Sequence, residues 1–179
     1  VPGVLVAAAE RLGSSHEQVL KALWAAGGIG LIIARRATFA AEVAGCQAEV
    51  GAASAMAAAG LVELAGGTAR QAEEAASVAL QNSLGMICDP VAGLVQVPCF
   101  GKNAMGVGNA YAAADMVLGG YQALIPFDEV AEAMLRVGEA MPREVRCTAL
   151  GGLATTPTGD RLKQQFERWV RVRVSEDLL

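Results

Sequence analysis

Gln47-Ala48-Glu49-Val50-Gly51-Ala52-Ala53-Ser54-Ala55-Met56-Ala57-Ala58-Ala59-Gly60-Leu61-Val62-Glu63-Leu64-Ala65 is the stretch that decides the fold. Alanine is the best helix former because it loses no side-chain entropy on ordering. The run has no β-branched cluster and no proline, and Gly66-Gly67 stops it. Gly51, Ala52, Ala55, Ala58 and Ala59 leave a flat face for close packing. Between Glu49 and Glu63 there is no charge, so the reading is a helix buried among other helices.

The flanking sequence repeats the pattern. Downstream, Thr68 and Gln71 fit a capping box. It opens a helix through Ala72, Ala75, Val78 and Ala79 to about Leu84, with Glu73 and Glu74 expected in the first turn, where the helix dipole favours acids. Upstream, Val4 to Leu12 reads as a short helix stopped by Gly13. Ser14 and Glu17 suggest a second capping box, for a helix running through Leu20, Leu23, Trp24 and Ile32 to about Arg36. Gly27, Gly28 and Gly30 inside that helix cost roughly 1 kcal/mol each against alanine, which suggests that another backbone approaches there. Asn103 to Leu118 reads as helix. Gly106-Val107-Gly108-Asn109 inside it has no preceding strand and lacks the third glycine of a dinucleotide site, so helix packing is the reading. Asp128 is expected to cap Glu129 to Ala140, and Pro142 ends that segment. Gly151 to Gly159 is turn-rich. Asp160 to about Val172 reads as a last helix, with Leu162, Phe166 and Trp169 on one side and Arg161, Lys163, Arg168 and Arg171 on the polar face. The expectation is an all-α, compact helical bundle, a single helical domain over residues 1–179.

Apolar residues make up 54% of the chain and charged residues 18%, with a net charge of −4. Without a basic block, nucleic acid is not an expected partner. The uncharged runs Ala22–Ala34 and Val50–Val62 are each 13 residues, short of the roughly 20 that span a bilayer, so no membrane role is expected. No signal peptide is visible at Val1. The chain lacks an initiator Met and opens on an apolar stretch, as a piece of a longer protein would.

Gly85 to Gly101 breaks the helical pattern. Pro90 and Pro98 lack N–H donors and disfavour helix just before them. Val91, Leu94, Val95 and Val97 suggest that the loop is buried, and a buried loop has many backbone amides to satisfy. It carries Cys88 and Cys99, while Cys46 sits at the Gly45-Cys46 junction. With nothing to suggest secretion, metal binding or catalysis is a better use of these thiols than disulfides; ordinary buried cysteine remains an alternative. Three thiols on loops between packed helices suit a socket for a metal cluster. His16 is the only histidine and falls in a first turn, where it is expected to be solvated. A histidine metal site or a Ser-His-Asp triad is thereby close to excluded.

These motifs resemble the α chain of iron–sulfur-dependent L-serine dehydratase. The residues that carry the resemblance are Gly45-Cys46-Gln47-Ala48-Glu49-Val50-Gly51, Cys88-Asp89-Pro90-Val91-Ala92-Gly93-Leu94-Val95, Val97-Pro98-Cys99, Asn103-Ala104-Met105-Gly106 and Gly151-Gly152-Leu153-Ala154. It covers at least Val1 to Thr158 and implies a [4Fe–4S] cluster on Cys46, Cys88 and Cys99 with one iron open to substrate. It also implies dehydration and deamination of L-serine to pyruvate and ammonia, in the cytoplasm, as part of serine degradation. A β chain or β-like domain and an upstream α segment are implied partners, within a homo- or hetero-oligomer. Gln47, Asn103, Gly151 and Gly152 are candidates for substrate binding. For the base, Glu49 and Lys102 are the candidates in the motifs, with Asp89 and His16 behind them.

Two departures from the family stand out. Cys147 occupies a position where the family more often has a charged or polar residue. It reads as an ordinary cysteine rather than a spare thiol at the site. The chain closes on Glu176-Asp177-Leu178-Leu179, without the terminal cysteine that single-chain relatives can place on the open iron, so that iron is expected to stay free of protein thiol. The competing readings are an electron-transfer or structural cluster protein, which ordinarily supplies four ligands, and a metal-free helical interaction module. Pyridoxal-phosphate chemistry would need a placed lysine, and only Lys102 lies near a motif.

Overall fold

The computed structural model describes residues 1–176, with side chains described through Arg171. Among them lie eight α-helices: α1 (Pro2–Leu12), α2 (His16–Arg36), α3 (Ala41–Ala44), α4 (Ala52–Leu64), α5 (Ala69–Gln81), α6 (Cys99–Leu118), α7 (Phe127–Ala140) and α8 (Pro157–Glu176). No strand occurs among the described residues. One isolated parallel bridge pairs Cys88 with Arg146. The all-α expectation holds.

Helix α4 is the core. Ala52, Ala55, Ala57, Ala58, Ala59, Leu61, Val62 and Leu64 are all buried, which leaves almost no solvent face. Helices α1, α2, α5 and α6 surround it. Small residues set the spacing. A Cβ on Gly60 would lie 2.7 Å from Leu5 of α1 and 3.0 Å from the Ala22 carbonyl of α2. Ser54, also buried, donates to Gly106 O at 2.9 Å and accepts from Asn109 Nδ2 at 2.9 Å. Asn109 also donates to Ala79 O at 2.8 Å, so one satisfied polar cluster locks α4, α5 and α6 together.

Helix boundaries follow local chemistry and differ from several sequence expectations. The α2 cap is Ser15 with Gln18, one residue later than Ser14 with Glu17. Gly13 is left-handed, and the Ser14 N–H is used by Ala9 O at 2.9 Å to close α1, so Ser14 is committed to the preceding helix. The Thr68–Gln71 box forms as expected. Glu73 and Glu74 fall past the first turn of α5; Glu73 instead accepts from the Phe127 N–H at 2.8 Å, and Glu74 pairs with Arg70 at 2.9 Å. That acceptor serves the start of α7, where Pro126 and not Asp128 precedes the first turn. Asp128 joins Glu132 in binding Arg36, at 3.2 and 2.6 Å.

Gly27 and Gly28 meet no close neighbour; only Gly30 is crowded, by the Met56 side chain. The close backbone approach expected at these glycines falls instead at Ala22, where Gly60 of α4 meets α2. By length and composition α2 could also cross a membrane, yet Ala22, Ala26, Ile29, Gly30 and Ile33 are buried in the bundle. Trp24, 81% exposed, points away from it. Helix α8 begins at Pro157, earlier than Asp160, and Phe166 stacks on Trp169 with ring centroids 6.1 Å apart.

Two glycine substitutions separate close approach from open surface. Gly138 of α7 abuts Ala44 of α3, which a Cβ would overlap. Gly138→Ala is expected to cost about 1–3 kcal/mol by overpacking. Gly27→Ala, on open surface, is expected to gain about 0.5–1 kcal/mol. Urea denaturation midpoints of the two variants check both signs.

Candidate thiol centre

The centre is built where three irregular segments meet at one end of the bundle. The first is the turn after α3. Gly45 has φ 71°, and a Cβ there would stand 2.7 Å from the Met86 carbonyl. Only glycine fits both demands. Cys46 follows, and Gln47–Gly51 forms a single wide helical turn that runs into α4. That π-type turn was not legible as a separate element in the alanine-rich pattern. Gln47 is fully buried. Its Nε2 donates to Met134 O at 2.9 Å and its Oε1 accepts from the Gly85 N–H at 2.9 Å. One end of this amide therefore holds α7 and the other the Gly85 loop.

The second segment is the Cys88–Cys99 loop. Its burial is divided, against the expectation of a wholly buried loop. Cys88, Asp89, Pro90 and Val91 are buried, but Val95, Val97 and Phe100 face outward. The reason is that the loop folds on itself: Val91 N–H donates to Val97 O at 2.9 Å, and Ala92 and Gly93 turn through positive φ. The Val97–Pro98 peptide is cis. Helix α6 starts at Cys99, ahead of the expected Asn103. Asn103 is exposed, and its Nδ2 donates to Cys99 O at 2.9 Å.

The third segment runs from Val145 to Thr155. Cys88 N–H donates to Val145 O at 2.8 Å, and Cys147 N–H donates to Cys88 O at 2.9 Å. Gly152, at φ 60°, lies against Asp89, whose Cβ would be 2.6 Å from an added methyl; Gly151 precedes it, half-buried.

Asp89 joins the segments. It is buried, and both of its oxygens are used. Oδ1 accepts from Lys102 Nζ at 2.7 Å and Oδ2 from the Leu153 N–H at 2.9 Å. Lys102 Nζ also donates to Ile87 O at 2.6 Å. An ammonium has three donors, so one remains after these two bonds.

Cys46 and Cys88, each 3% exposed, pack together with Ala41, and Cys147 packs against them. The sequence reading of Cys147 as ordinary is thus corrected: it is a thiol of this centre. Its only sequence signal was the departure at that position. All four cysteines are free thiols. The Cys88 thiol holds Cys46 below the usual thiol range by hydrogen bonding to it, with Lys102 adding to the effect. The same bond, then burial, then Cys147, push Cys88 far upward. Of the two, Cys46 is the thiol that ionises more readily and Cys88 the one that holds its proton. Cys99 is half-buried and raised, by burial first and then by Cys46, with Lys102 opposing. Lys102 is therefore within electrostatic reach of both Cys46 and Cys99.

Glu49 also acts on Cys46 and Cys99. Although its residue surface reaches solvent, partial desolvation and then Glu42 raise its carboxyl. His16 stands exposed in the first turn of α2, as expected. Among the described residues no three His, Cys, Asp or Glu side chains gather as a single-ion site. The donor set is nonetheless soft: Cys46 and Cys88 are in contact and Cys99 is within electrostatic reach. Thiolates of this kind select iron–sulfur, zinc or copper(I) over hard cations, so the residues fit an iron–sulfur group by donor chemistry. The chain's closing residues Asp177-Leu178-Leu179, on which the expectation of an unplugged iron rests, lie outside the described residues.

Fold and centre together define an all-α protein with a thiol-rich centre on the loops between its helices. The family described as serine dehydratase alpha chain matches residues 1–154, and the chain belongs to that family. It is 52% identical over 166 residues to the probable L-serine dehydratase, alpha chain, of Bacillus subtilis (strain 168), covering 93% of this chain and 55% of that protein. It is 49% identical to the L-serine dehydratase, alpha chain, of Peptoniphilus asaccharolyticus, covering 93% and 57%. To the L-serine dehydratase of Mycobacterium bovis (strain ATCC BAA-935 / AF2122/97) it is 45% identical over 143 residues, covering 79% and 31%. The chain thus spans little more than half the length of the first two relatives.

Removing one member of the buried ion pair leaves the other uncompensated. Asp89→Ala is expected to destabilise the chain by about 3–5 kcal/mol. Adding Lys102→Met should recover a large part of that loss. A double-mutant cycle by chemical denaturation under reducing conditions checks the coupling.

Proposed function

We propose that this chain is the cluster-bearing part of an L-serine dehydratase, which converts L-serine to pyruvate and ammonia. The observation that carries the reading is the contact of the Cys46 and Cys88 thiols, with Lys102 and Glu49 within electrostatic reach of Cys46, in a chain of the serine dehydratase family. Cys46, Cys88 and Cys99 would hold a [4Fe–4S] cluster. When bound, with one iron free of protein thiolate, it supplies Lewis-acid polarisation of the substrate's C–O bond.

The chain's own residues supply the rest. Asp89 and the Ile87 carbonyl fix the Lys102 ammonium, within electrostatic reach of Cys46 and Cys99. There its charge favours thiolate over thiol, and its remaining N–H is available to a substrate carboxylate. The Glu49 carboxylate has no hydrogen-bond or ion-pair partner among the described residues. Its raised carboxyl suits a base that takes the α-proton, since proton transfer works best when the base titrates nearer the working pH. Water then leaves, and the enamine product tautomerises and hydrolyses to pyruvate and ammonia. Gln47 holds the Cys46 turn in register through its two amide bonds. Asn103 and the Gly151-Gly152 turn remain at the rim as candidates for contact with substrate.

Because the relatives extend well beyond the matched region, the reading places the chain with an upstream α segment and a β chain or β-like domain. It also places it in an oligomer in the cytoplasm, where thiols stay reduced. Neither nucleic acid nor membrane has a role in it.

Anaerobic reconstitution with iron and sulfide, followed by an L-serine titration, tests the reading. Broad visible absorption should appear, change as serine is added, and be lost in Cys88→Ser. A cluster that is reversibly reduced but indifferent to serine would point to electron transfer. In the complete enzyme, Glu49→Gln should lower kcat by roughly 10²–10⁴ while the serine-induced spectral change persists.

A further inference from the structure

The proposed reaction leaves one thiol of the centre unused. Cys147 is held beside Cys88 by the backbone. The 2.8 Å bond from Cys88 N–H to Val145 O and the 2.9 Å bond from Cys147 N–H to Cys88 O run the two segments side by side, around the Cys88–Arg146 bridge. Cys147 sits at φ 63°, and its side chain packs against the Cys46–Cys88 pair. Joining Cys88 and Cys147 therefore asks little of the main chain. Cys46 also faces Cys88, but its loop bonds to Met86, two residues short of Cys88, through Gln47 N–H at 3.2 Å. Access separates the two as well: Cys46 and Cys88 are each 3% exposed, while Cys147 is half-buried and open to small oxidants.

We infer that Cys88 and Cys147 form a reversible disulfide when Cys88 carries no metal, so that the pair is an oxidation-sensitive gate on the thiol centre. The oxidant is hydrogen peroxide. The Cys147 sulfur attacks one peroxide oxygen, the O–O bond breaks, and Cys147 becomes a sulfenic acid as one water leaves. The Cys88 sulfur then displaces the sulfenic oxygen. The S–S bond forms, and that oxygen departs as a second water with the Cys88 proton. Two thiols lose two electrons, and one peroxide is reduced to two waters. A dithiol reductant reverses the bridge by exchange. A sulfur in a disulfide offers no thiolate, so bridge and metal exclude each other at Cys88. The bridge itself stands independently of the proposed activity; its action as a gate rests on Cys88 being a cluster ligand.

The test uses metal-free chain, freed of reductant and treated with stoichiometric hydrogen peroxide. Free thiols are alkylated and peptides mapped without reduction. The expected result is a Cys88–Cys147 crosslink, loss of half the titratable thiols, and full recovery with dithiothreitol. Cys147→Ser should keep its remaining thiols under the same treatment. A Cys46–Cys88 crosslink, four free thiols, or equal thiol loss in Cys147→Ser would overturn the inference. Iron and sulfide added to the oxidised chain should give no cluster until it is reduced; a cluster formed before reduction would remove the gate. A chain that bridges as expected but takes up no cluster after reduction would support the bridge and count against the serine dehydratase reading.

Discussion

A helix with no polar face has to be surrounded. That constraint on α4 organises the rest of the molecule. Its alanines and Gly60 present little side-chain volume, so neighbours must come close enough for backbone and methyl groups to touch, as Leu5 and the Ala22 carbonyl do at Gly60. Close packing of this kind has little tolerance for added volume. It also leaves few places for polar groups. Ser54 and Asn109 occupy one of them, with their hydrogen bonds made to neighbours on α5 and α6.

The same helix places the thiol centre. Cys46 lies one turn before α4, and its loop is pressed from one side by α7, where Gly138 meets Ala44, and from another by the Met86 carbonyl over Gly45. Irregular backbone at the edge of a core has donors and acceptors to satisfy. Gln47 does this between the Cys46 turn, the Gly85 loop and α7. Asp89 does it between the Cys88 loop, α6 and the Leu153 turn. These two side chains make the centre a fixed arrangement. The ammonium held by Asp89 then offsets negative charge where Cys46 and Cys99 lie.

Where the sequence misled, a residue had two local uses and tertiary packing chose between them. Ser14 and Ser15 can both cap α2, but closing α1 consumes the Ser14 amide. Asp128 looks like a cap, yet Arg36 from a distant helix claims it, and Glu73 of α5 receives the amide at the start of α7. The apolar residues of the 85–101 loop predicted burial. The loop's own Val91–Val97 bond instead turns Val95 and Val97 outward. Cys147 looks ordinary in the sequence because nothing adjacent connects it to Cys88, 59 positions earlier in the numbering.

By itself the sequence determined the helical class, the capping box at Thr68, the glycine stops, and three cysteines in motifs long and unusual enough to carry a family. Those features are local: they depend on propensity, on the spacing of apolar positions, and on backbone freedom at single residues. Only the tertiary structure decided that Cys147 joins Cys46 and Cys88, that Asp89 and Lys102 are a buried pair, and that Gln47 has both ends of its amide engaged. Each of these depends on a polar or sulfur group finding a partner farther off in the chain, from 13 positions for Asp89 and Lys102 to 87 for Gln47 and Met134. A linear pattern does not encode that choice, because which partner is within reach follows from how closely the helices pack around α4.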